Sequence, residues 1–333
     1  MVTRLALVTS LPVPPRREQP GGSHERAARR TRCSCRLDGI RGWKMSEKCI
    51  DYKGIRFPHL STSVEGLTFL ENEFQAQDND LFNITYPKSG TTWMIEILSL
   101  IHNNGDPTWN KTVPNWGRIP WLESPGTVQR VKTNADRPHL FTSHLQRKLL
   151  KKALSGSKAK VIYTIREPKD VVVSLLYFAK MSVFYEEPET FDQFLKDYLS
   201  GALPYGSWFD HVKGWMEMLG KENFMFQTYN DLQMDLRGSV VKLCKFLGKE
   251  LDERALDSVV ENASFQNMKE NKMANFTLLQ DIYMDHEKSP FIRKGIIGDW
   301  KNHFTVDQVD YFKNIYKKEM QNFNVVFPWD TIL

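Results

Sequence analysis

Residues 81–93 read LFNITYPKSGTTW and carry the clearest structural signal in the chain. The run from Leu81 to Tyr86 is short, apolar and rich in β-formers, which predicts a strand. After it, one helix face is indicated by the spacing of Trp93, Met94, Ile97, Leu98 and Ile101. The segment therefore predicts a strand, a tight turn and a helix.

The same unit occurs twice more along the chain. Lys160 to Ile165 (KVIYTI) predicts a strand before a helix through residues 171–176, and Phe224 to Tyr229 (FMFQTY) predicts a strand before a helix through residues 240–247. Strands that alternate with helices in this way predict an α/β fold, a single domain whose central parallel sheet is flanked by helices. In such sheets, ligands bind where the carboxyl ends of strands lead into helices.

The turn after the first strand has the composition of an anion-binding loop. Gly90 permits close approach of the backbone, and the N–H groups at the start of the next helix point towards a bound anion. Ser89, Thr91 and Thr92 add hydroxyl donors, and Lys88 adds a mobile cation. The turn is P-loop-like, although it lacks the first glycine and its lysine precedes the glycine. The alternative is an ordinary surface turn capped by Ser or Thr.

Two other segments combine cations with the end of a strand or with glycines. Arg166 follows the second strand and is suited to clamp a phosphate, with Ser174 further along the next helix. Arg293, Lys294 and Gly295 open the stretch RKGIIGDWK, which suits a second phosphate. The alternatives are a capped turn for the first segment and an ordinary basic loop for the second.

The distribution of charge argues against nucleic acid as a partner. The 333 residues have a net charge of +5, but residues 1–44 hold ten Lys and Arg against three Asp and Glu. Residues 45–333 hold 35 against 37, so the body lacks the positive charge of a nucleic-acid binder. We expect residues 1–44 to form a disordered basic extension before one domain at residues 45–333. The alternatives are a transit leader, or upstream sequence that is not translated, with Met45 as the natural start.

Cysteine usage and hydropathy predict a soluble, cytoplasmic protein. Of the four cysteines, only Cys49 and Cys244 fall after residue 44, which fits a reducing compartment. The spacing of His and Cys indicates no metal site. No apolar run approaches the roughly 20 residues that span a bilayer, so we expect no membrane span.

Together these motifs resemble those of the cytosolic sulfotransferases. The similar segments are YPKSGTTW at residues 86–93, SHL around His144, the stretch from Arg166 to Ser174, and RKGIIGDWKNHF from Arg293. Three further stretches, YGSWFDHVKGW, SFQNMKENKM and GDWKNHFTV, resemble the hydroxysteroid or bile-salt branch. The resemblance implies an enzyme of steroid and lipid metabolism.

The resemblance also implies the donor and its site. The donor would be 3′-phosphoadenylyl sulfate (PAPS), the product adenosine 3′,5′-bisphosphate (PAP), and no metal would take part. The first turn would hold the 5′-phosphosulfate, the other two cationic segments the 3′-phosphate, and residues 229 and 263–268 the adenine side. The implied donor residues are Lys88, Ser89, Gly90, Thr91, Thr92, Trp93, Arg166, Ser174, Tyr229, Ala263, Ser264, Phe265, Gln266, Asn267, Met268, Arg293, Lys294 and Gly295.

Catalytic roles follow from the same resemblance. His144 matches the general base that takes the proton of the acceptor hydroxyl, and Lys88 matches the lysine that neutralises the departing phosphate. We expect the pKa of the imidazole to lie near its ordinary value of about 6.5. The acceptor would be a hydrophobic alcohol such as a hydroxysteroid or a bile acid. The candidate pocket residues, each of which is equally a candidate for the core, are Trp116, Trp121, Phe178, Met181, Phe184 and Phe276.

Other functions stay open on the sequence alone. A sulfotransferase for phenols or amines is disfavoured by Thr142, where those relatives carry lysine. A catalytically weak nucleotide-binding relative is suggested by Ala263, where relatives usually carry a hydroxyl residue. A P-loop kinase is disfavoured by the order of Lys88 and Gly90.

Residues 301–310 resemble the short dimerisation motif of the family and imply a homodimer. Asp310 replaces the final glutamate of that motif. Without the resemblance, the segment predicts a helix start capped by Thr305.

Overall fold

The computed structural model describes residues 48–134 and 136–330. The predicted extension at residues 1–44 and the first three residues of the predicted domain lie outside the described residues. The strands are β1 (Cys49–Tyr52), β2 (Ile55–Pro58), β3 (Leu81–Thr85), β4 (Leu140–Ser143), β5 (Lys160–Ile165) and β6 (Phe224–Thr228). Strands β3 to β6 form a parallel sheet in the order β4-β3-β5-β6, and β1 and β2 form an antiparallel pair.

Helices connect the strands and cover the sheet. The α-helices are α1 (Val64–Asn72), α2 (Thr91–His102), α3 (Thr108–Thr112), α4 (Asn115–Arg118), α5 (Pro125–Thr133), α6 (Pro168–Met181), α7 (Phe191–Ser200), α8 (Trp208–Met216), α9 (Tyr229–Met234), α10 (Leu236–Leu247), α11 (Glu253–Asn262), α12 (Phe265–Glu270) and α13 (Val306–Glu319). Short 3₁₀ helices span Arg147–Leu149 and Asp299–Asn302.

The central strands alternate between two hydrophobic cores. Phe82 and Ile84 of β3 join one core, whereas Leu81 joins the other, and Tyr163 and Ile162 of β5 divide in the same way. Successive side chains of a strand point to opposite faces, so a strand such as β3, whose residues are all buried, must be covered on both sides. The predicted α/β fold with a central parallel sheet between helices is therefore confirmed.

The structure shortens two predicted strands by one residue each. The first predicted strand was expected to end at Tyr86, but it ends at Thr85. The third predicted strand was expected to end at Tyr229, but it ends at Thr228, whose side chain caps α9 in a reciprocal pair with Asp231. Such a capping box begins a helix at the next residue, so Tyr229 opens α9. The pair of strands β1 and β2 was not predicted.

Strand register brings four chain segments to one edge of the sheet. Thr85 pairs with Thr164 across β3 and β5, and Ile84 pairs with Ser143 across β3 and β4. The residues directly after β3, β4, β5 and β6 therefore emerge at the same edge. These residues are Tyr86, His144, Arg166 and Tyr229.

Candidate active site

The turn between β3 and α2 contains donors that have no partners among residues 48–134 and 136–330. Gly90 caps α2 with a φ of +108°, and no side chain caps the first N–H groups of the helix. The Ser89 hydroxyl is buried and has no hydrogen-bond partner among the described residues. A Cβ at position 90 would lie 3.1 Å from Cδ2 of Tyr229, so glycine is needed where the two segments meet. Residues 88–93, called the anion cradle below, fit an anionic group.

His144 lies beside this cradle in a defined orientation. Its Nδ1 is 2.8 Å from the Thr85 carbonyl oxygen, which can only accept, so Nδ1–H donates and Nε2 is left to accept a proton. The Trp121 and Tyr205 ring centroids lie 6.2 and 5.1 Å from the imidazole. This geometry suits a general base that acts through Nε2.

The pKa of His144 is lower than the value expected from the sequence. Burial, together with the nearby Lys88 ammonium, lowers the pKa of His144 to about 4, although the hydrogen bond to Thr85 opposes the shift. The expectation of a pKa near 6.5 is therefore wrong. The imidazole is neutral at pH 7 and is in the state that accepts a proton.

A buried carboxyl group, missed in the sequence, supports the same histidine. Glu123 Oε1 accepts the backbone N–H of His144 at 3.0 Å, and burial raises the pKa of Glu123 to about 7. Residues 120–122 pair with β4 through Leu122 N–H and the Thr142 carbonyl oxygen at 2.8 Å, which fixes this position. No local pattern in the sequence marks Glu123, which directly follows Leu122.

Lys88 has a strained backbone and an apolar setting. Its φ is +67°, and its Nζ lies 3.9 Å from the Phe291 ring centroid and 4.5 Å from that of Phe178. Burial, with smaller effects from Arg166 and Arg293, lowers the pKa of Lys88 to about 7. A lysine with this pKa is sensitive to any anion that binds nearby.

Arg166 joins the cradle to the segment that follows α12. Its guanidinium donates to the Lys88 carbonyl oxygen at 3.3 Å and to the Ile296 carbonyl oxygen at 3.1 Å, and it lies 4.3 Å from the Tyr229 ring centroid. The buried Nε has no partner among the described residues. Ser174 is half-buried on α6, the helix that begins just after Arg166.

The basic loop contains an acidic partner that the sequence analysis missed. Asp299 is only 2% exposed, and its oxygens lie 2.6 Å from Arg293 Nη2 and 2.7 Å from Lys294 Nζ. Hydrogen bonds from these two cations hold the pKa of Asp299 below its ordinary value despite burial. Asp170 accepts the N–H groups of Gly298 and Trp300 at 2.6 and 2.9 Å. The two aspartates therefore fix the conformation of the loop. In the sequence, Asp299 was visible only as the middle residue of Gly298-Asp299-Trp300.

The predicted adenine-side residues meet beside the cradle. Trp93 Nε1 donates to the Ala263 carbonyl oxygen at 2.8 Å, and its ring lies 5.4 Å from that of Tyr229. A Cβ at Gly295 would lie 2.2 Å from the Phe265 ring, so these two residues are in close contact. The other side chains of this stretch serve their own helix or its neighbour: Ser264 caps α12, Gln266 bonds Glu270, Asn267 bonds the Glu261 carbonyl oxygen, and Met268 is buried.

The predicted pocket residues assemble in one cluster. Phe276 lies 5.3 Å from Trp116, 6.4 Å from Trp121 and 4.2 Å from Phe291 between ring centroids. Trp121 also faces His144, so the cluster ends at the imidazole. We call this set the aromatic cluster: Trp116, Trp121, Phe178, Met181, Phe184, Phe276, Leu279, Met284 and Phe291. The sequence analysis missed the last three of these.

Comparison with known proteins agrees with this geometry. Residues 78–324 match the family model described as Sulfotransferase domain. The chain belongs to the sulfotransferase family. It is 49% identical to Sulfotransferase 2B1 of Homo sapiens over 86% of this chain and 78% of that protein. It is 45% identical to the 3-beta-hydroxysteroid sulfotransferase of Cavia porcellus over 86% of this chain and 99% of that protein.

A solved structure extends the comparison to three dimensions. Mouse sulfotransferase SULT7A1, complexed with PAP, superposes with a TM-score of 0.69 at 29% identity, over 84% of this chain and 96% of that chain. The predicted family and the resemblance to its hydroxysteroid branch are confirmed. Within the described part of this sulfotransferase, no helix has the length and apolar character that crossing a membrane requires.

Proposed function

We propose that the protein transfers the sulfuryl group of PAPS to the hydroxyl group of a hydroxysteroid or bile acid, with His144 as general base. The observation that carries the proposal is the hydrogen bond from His144 Nδ1 to the Thr85 carbonyl oxygen. This hydrogen bond directs Nε2 away from β3, the strand that leads into the anion cradle. The imidazole also lies next to the aromatic cluster, which suits an apolar acceptor. Relatives named as hydroxysteroid sulfotransferases support the acceptor class.

Several features support the fit of PAPS to this chain. The Ser89 hydroxyl and the first N–H groups of α2, which have no side-chain partners among the described residues, are donors for the phosphosulfate. Arg166, whose Nε has no partner in the part of the chain that the structure describes, and the Arg293-Lys294 pair are cations for the 3′-phosphate, with Gly295 beside them. A relative solved with PAP supports the same nucleotide.

His144 and Lys88 have different roles in the proposed reaction. When bound, PAPS supplies a sulfuryl group, which forms a bond to the acceptor oxygen as its bond to the phosphate oxygen breaks. His144 Nε2 takes the proton of the acceptor hydroxyl, and its neutral form is available because of its low pKa. The Lys88 ammonium neutralises the charge that develops on the departing phosphate oxygen.

We further infer that the protein works in the cytoplasm as a homodimer that meets through residues 301–310. Thr305 caps α13 in a reciprocal pair with Gln308, as expected for a capped helix start. Val306 directly after it is 78% exposed, which suits a contact with a second copy. Sedimentation velocity should give twice the chain mass, and a monomer at all concentrations would contradict the dimer.

Labelled sulfate transfer tests the proposal most directly. The wild-type protein should sulfate a 3-beta-hydroxysteroid in the presence of PAPS, and His144→Ala should lower kcat by about 10²- to 10⁴-fold, the usual contribution of a general base. PAP affinity, measured by calorimetry, should stay nearly unchanged. His102→Ala is the matched control, because His102 ends α2 far from the cradle that begins it. Normal turnover by His144→Ala would remove His144 from the mechanism, and transfer only to phenols or amines would overturn the acceptor class.

A further inference from the structure

The Lys88 ammonium lies near two arginine side chains and two phenylalanine rings. Besides burial, Arg166 after β5 and Arg293 on the basic loop lower the pKa of Lys88, and the Lys88 ammonium in turn lowers the pKa of His144 after β4. Among residues 48–134 and 136–330, no carboxylate forms an ion pair with its Nζ. The attractive contacts are the faces of Phe291 at 3.9 Å and Phe178 at 4.5 Å, both within the roughly 6 Å over which a ring attracts a cation.

These two rings also belong to the aromatic cluster. Phe178 lies on α6, and Phe291 comes two residues before Arg293. Their centroids are 5.9 Å apart in an edge-to-face arrangement, and Phe291 lies 4.2 Å from Phe276. The rings that would meet an apolar acceptor are therefore the rings that hold the cation of the donor site.

Resting on the proposed function, we propose that Phe291, assisted by Phe178, is a positioning residue that holds the Lys88 ammonium at the boundary between donor and acceptor sites. Two guanidinium groups repel the ammonium, and the negative ring faces compensate for that repulsion. Loss of the ring should displace the ammonium and favour its neutral form. An acceptor that shifts Phe291 should then change kcat through Lys88, besides any effect on its own binding.

Substitutions at position 291 separate this role from simple packing. Phe291→Leu keeps an apolar side chain without a ring face, so kcat should fall about five- to thirtyfold, the range of a partly desolvated cation–π contact. The basic limb of the kcat/KM profile should move to lower pH, because the neutral form of Lys88 becomes more stable. Phe291→Tyr keeps the ring and should restore both values. Phe184→Leu, elsewhere in the same cluster, should alter the acceptor KM and leave the basic limb in place.

A series of fluorinated residues at position 291 provides a second measurement that preserves the shape of the ring. Mono-, di- and trifluorinated phenylalanine progressively weaken the negative ring face. With each added fluorine, kcat should therefore decrease and the basic limb of the kcat/KM profile should move to lower pH. No trend along this series, or a change in acceptor KM alone for Phe291→Leu, would overturn the positioning role. If the wild-type protein bound no PAP and transferred no sulfate, the proposed function itself would fail.

Discussion

Replacing Arg293 by alanine tests how the 3′-phosphate is recognised. Arg293 Nη2 lies 2.6 Å from Asp299, its guanidinium lies 4.3 Å from the Tyr177 ring centroid, and the side chain is only 16% exposed. Without Arg293, the Asp299 carboxylate keeps Lys294 at 2.7 Å and Asn302 at 3.0 Å as partners. The loop should therefore persist, so that Arg293→Ala reports on the anion contact and not on the loop.

The expected loss of PAP affinity depends on the ion pair that Arg293 already forms with Asp299. A charge-assisted contact from arginine to phosphate contributes about 1.5 to 3 kcal/mol. Because Asp299 competes for the same guanidinium, we expect the lower part of that range, about 1.5 to 2 kcal/mol, or a roughly 12- to 30-fold weaker affinity for PAP. Adenosine 5′-phosphate has no 3′ group, so its affinity should change by less than about twofold.

Calorimetric titration of the two nucleotides is the assay. Arg293→Lys is the control, because it keeps the charge but loses the planar fork, and it should fall between the wild-type protein and Arg293→Ala. The ratio of the two dissociation constants is the readout that loop damage alone does not move. Equal losses for PAP and adenosine 5′-phosphate would refute the assignment and make the basic loop structural.

Two further predictions concern glycine geometry and protonation. In Gly295→Ala, the new residue would have a φ of +63° and a Cβ 2.2 Å from the Phe265 ring, which should cost at least about 1 kcal/mol. Both nucleotides should therefore weaken alike, by about fivefold or more, in the same titrations; unchanged binding would contradict the close contact. The kcat/KM profile should rise through about pH 4, as His144 becomes neutral, and fall through about pH 7, as Lys88 loses its proton. In Lys88→Arg, the activity that remains should no longer fall near pH 7, because a guanidinium stays charged. If the fall stayed at the same pH, Lys88 would be excluded as the group that causes it.

The strands of the sheet were predictable because each is specified locally. The β5 run KVIYTI is buried along almost its whole length, and an apolar run between polar segments is visible without knowledge of the fold. By contrast, β1 and β2 have four residues each, too few to show a period. Their turn at Lys53 and Gly54, with φ of +52° and +76°, lacks the usual Asn-Gly or Asp-Gly signature.

The segments that meet at the candidate site were visible as motifs in the sequence, but the contacts that support them were not. Trp121 and Phe276 were selected as apolar residues, and the structure brings both to one cluster. Glu123 and Phe291 were missed because each acts on a residue far away in the sequence, His144 and Lys88 respectively. Such pairs depend on strand register and loop path, for which no local pattern exists.

The convergence of cations explains why a ligand with two phosphate groups suits this edge of the sheet. Lys88, Arg166 and Arg293 come from three separate segments, and the two guanidinium groups help to lower the pKa of Lys88. The body of the chain has a slight negative charge, so the attraction for an anion is local. An anion that contacts several of these groups relieves their mutual repulsion, and each contact therefore strengthens the others. The three cations can be read from the sequence, but they interact only because two parallel strands place Lys88 and Arg166 at one edge and the basic loop places Arg293 beside them.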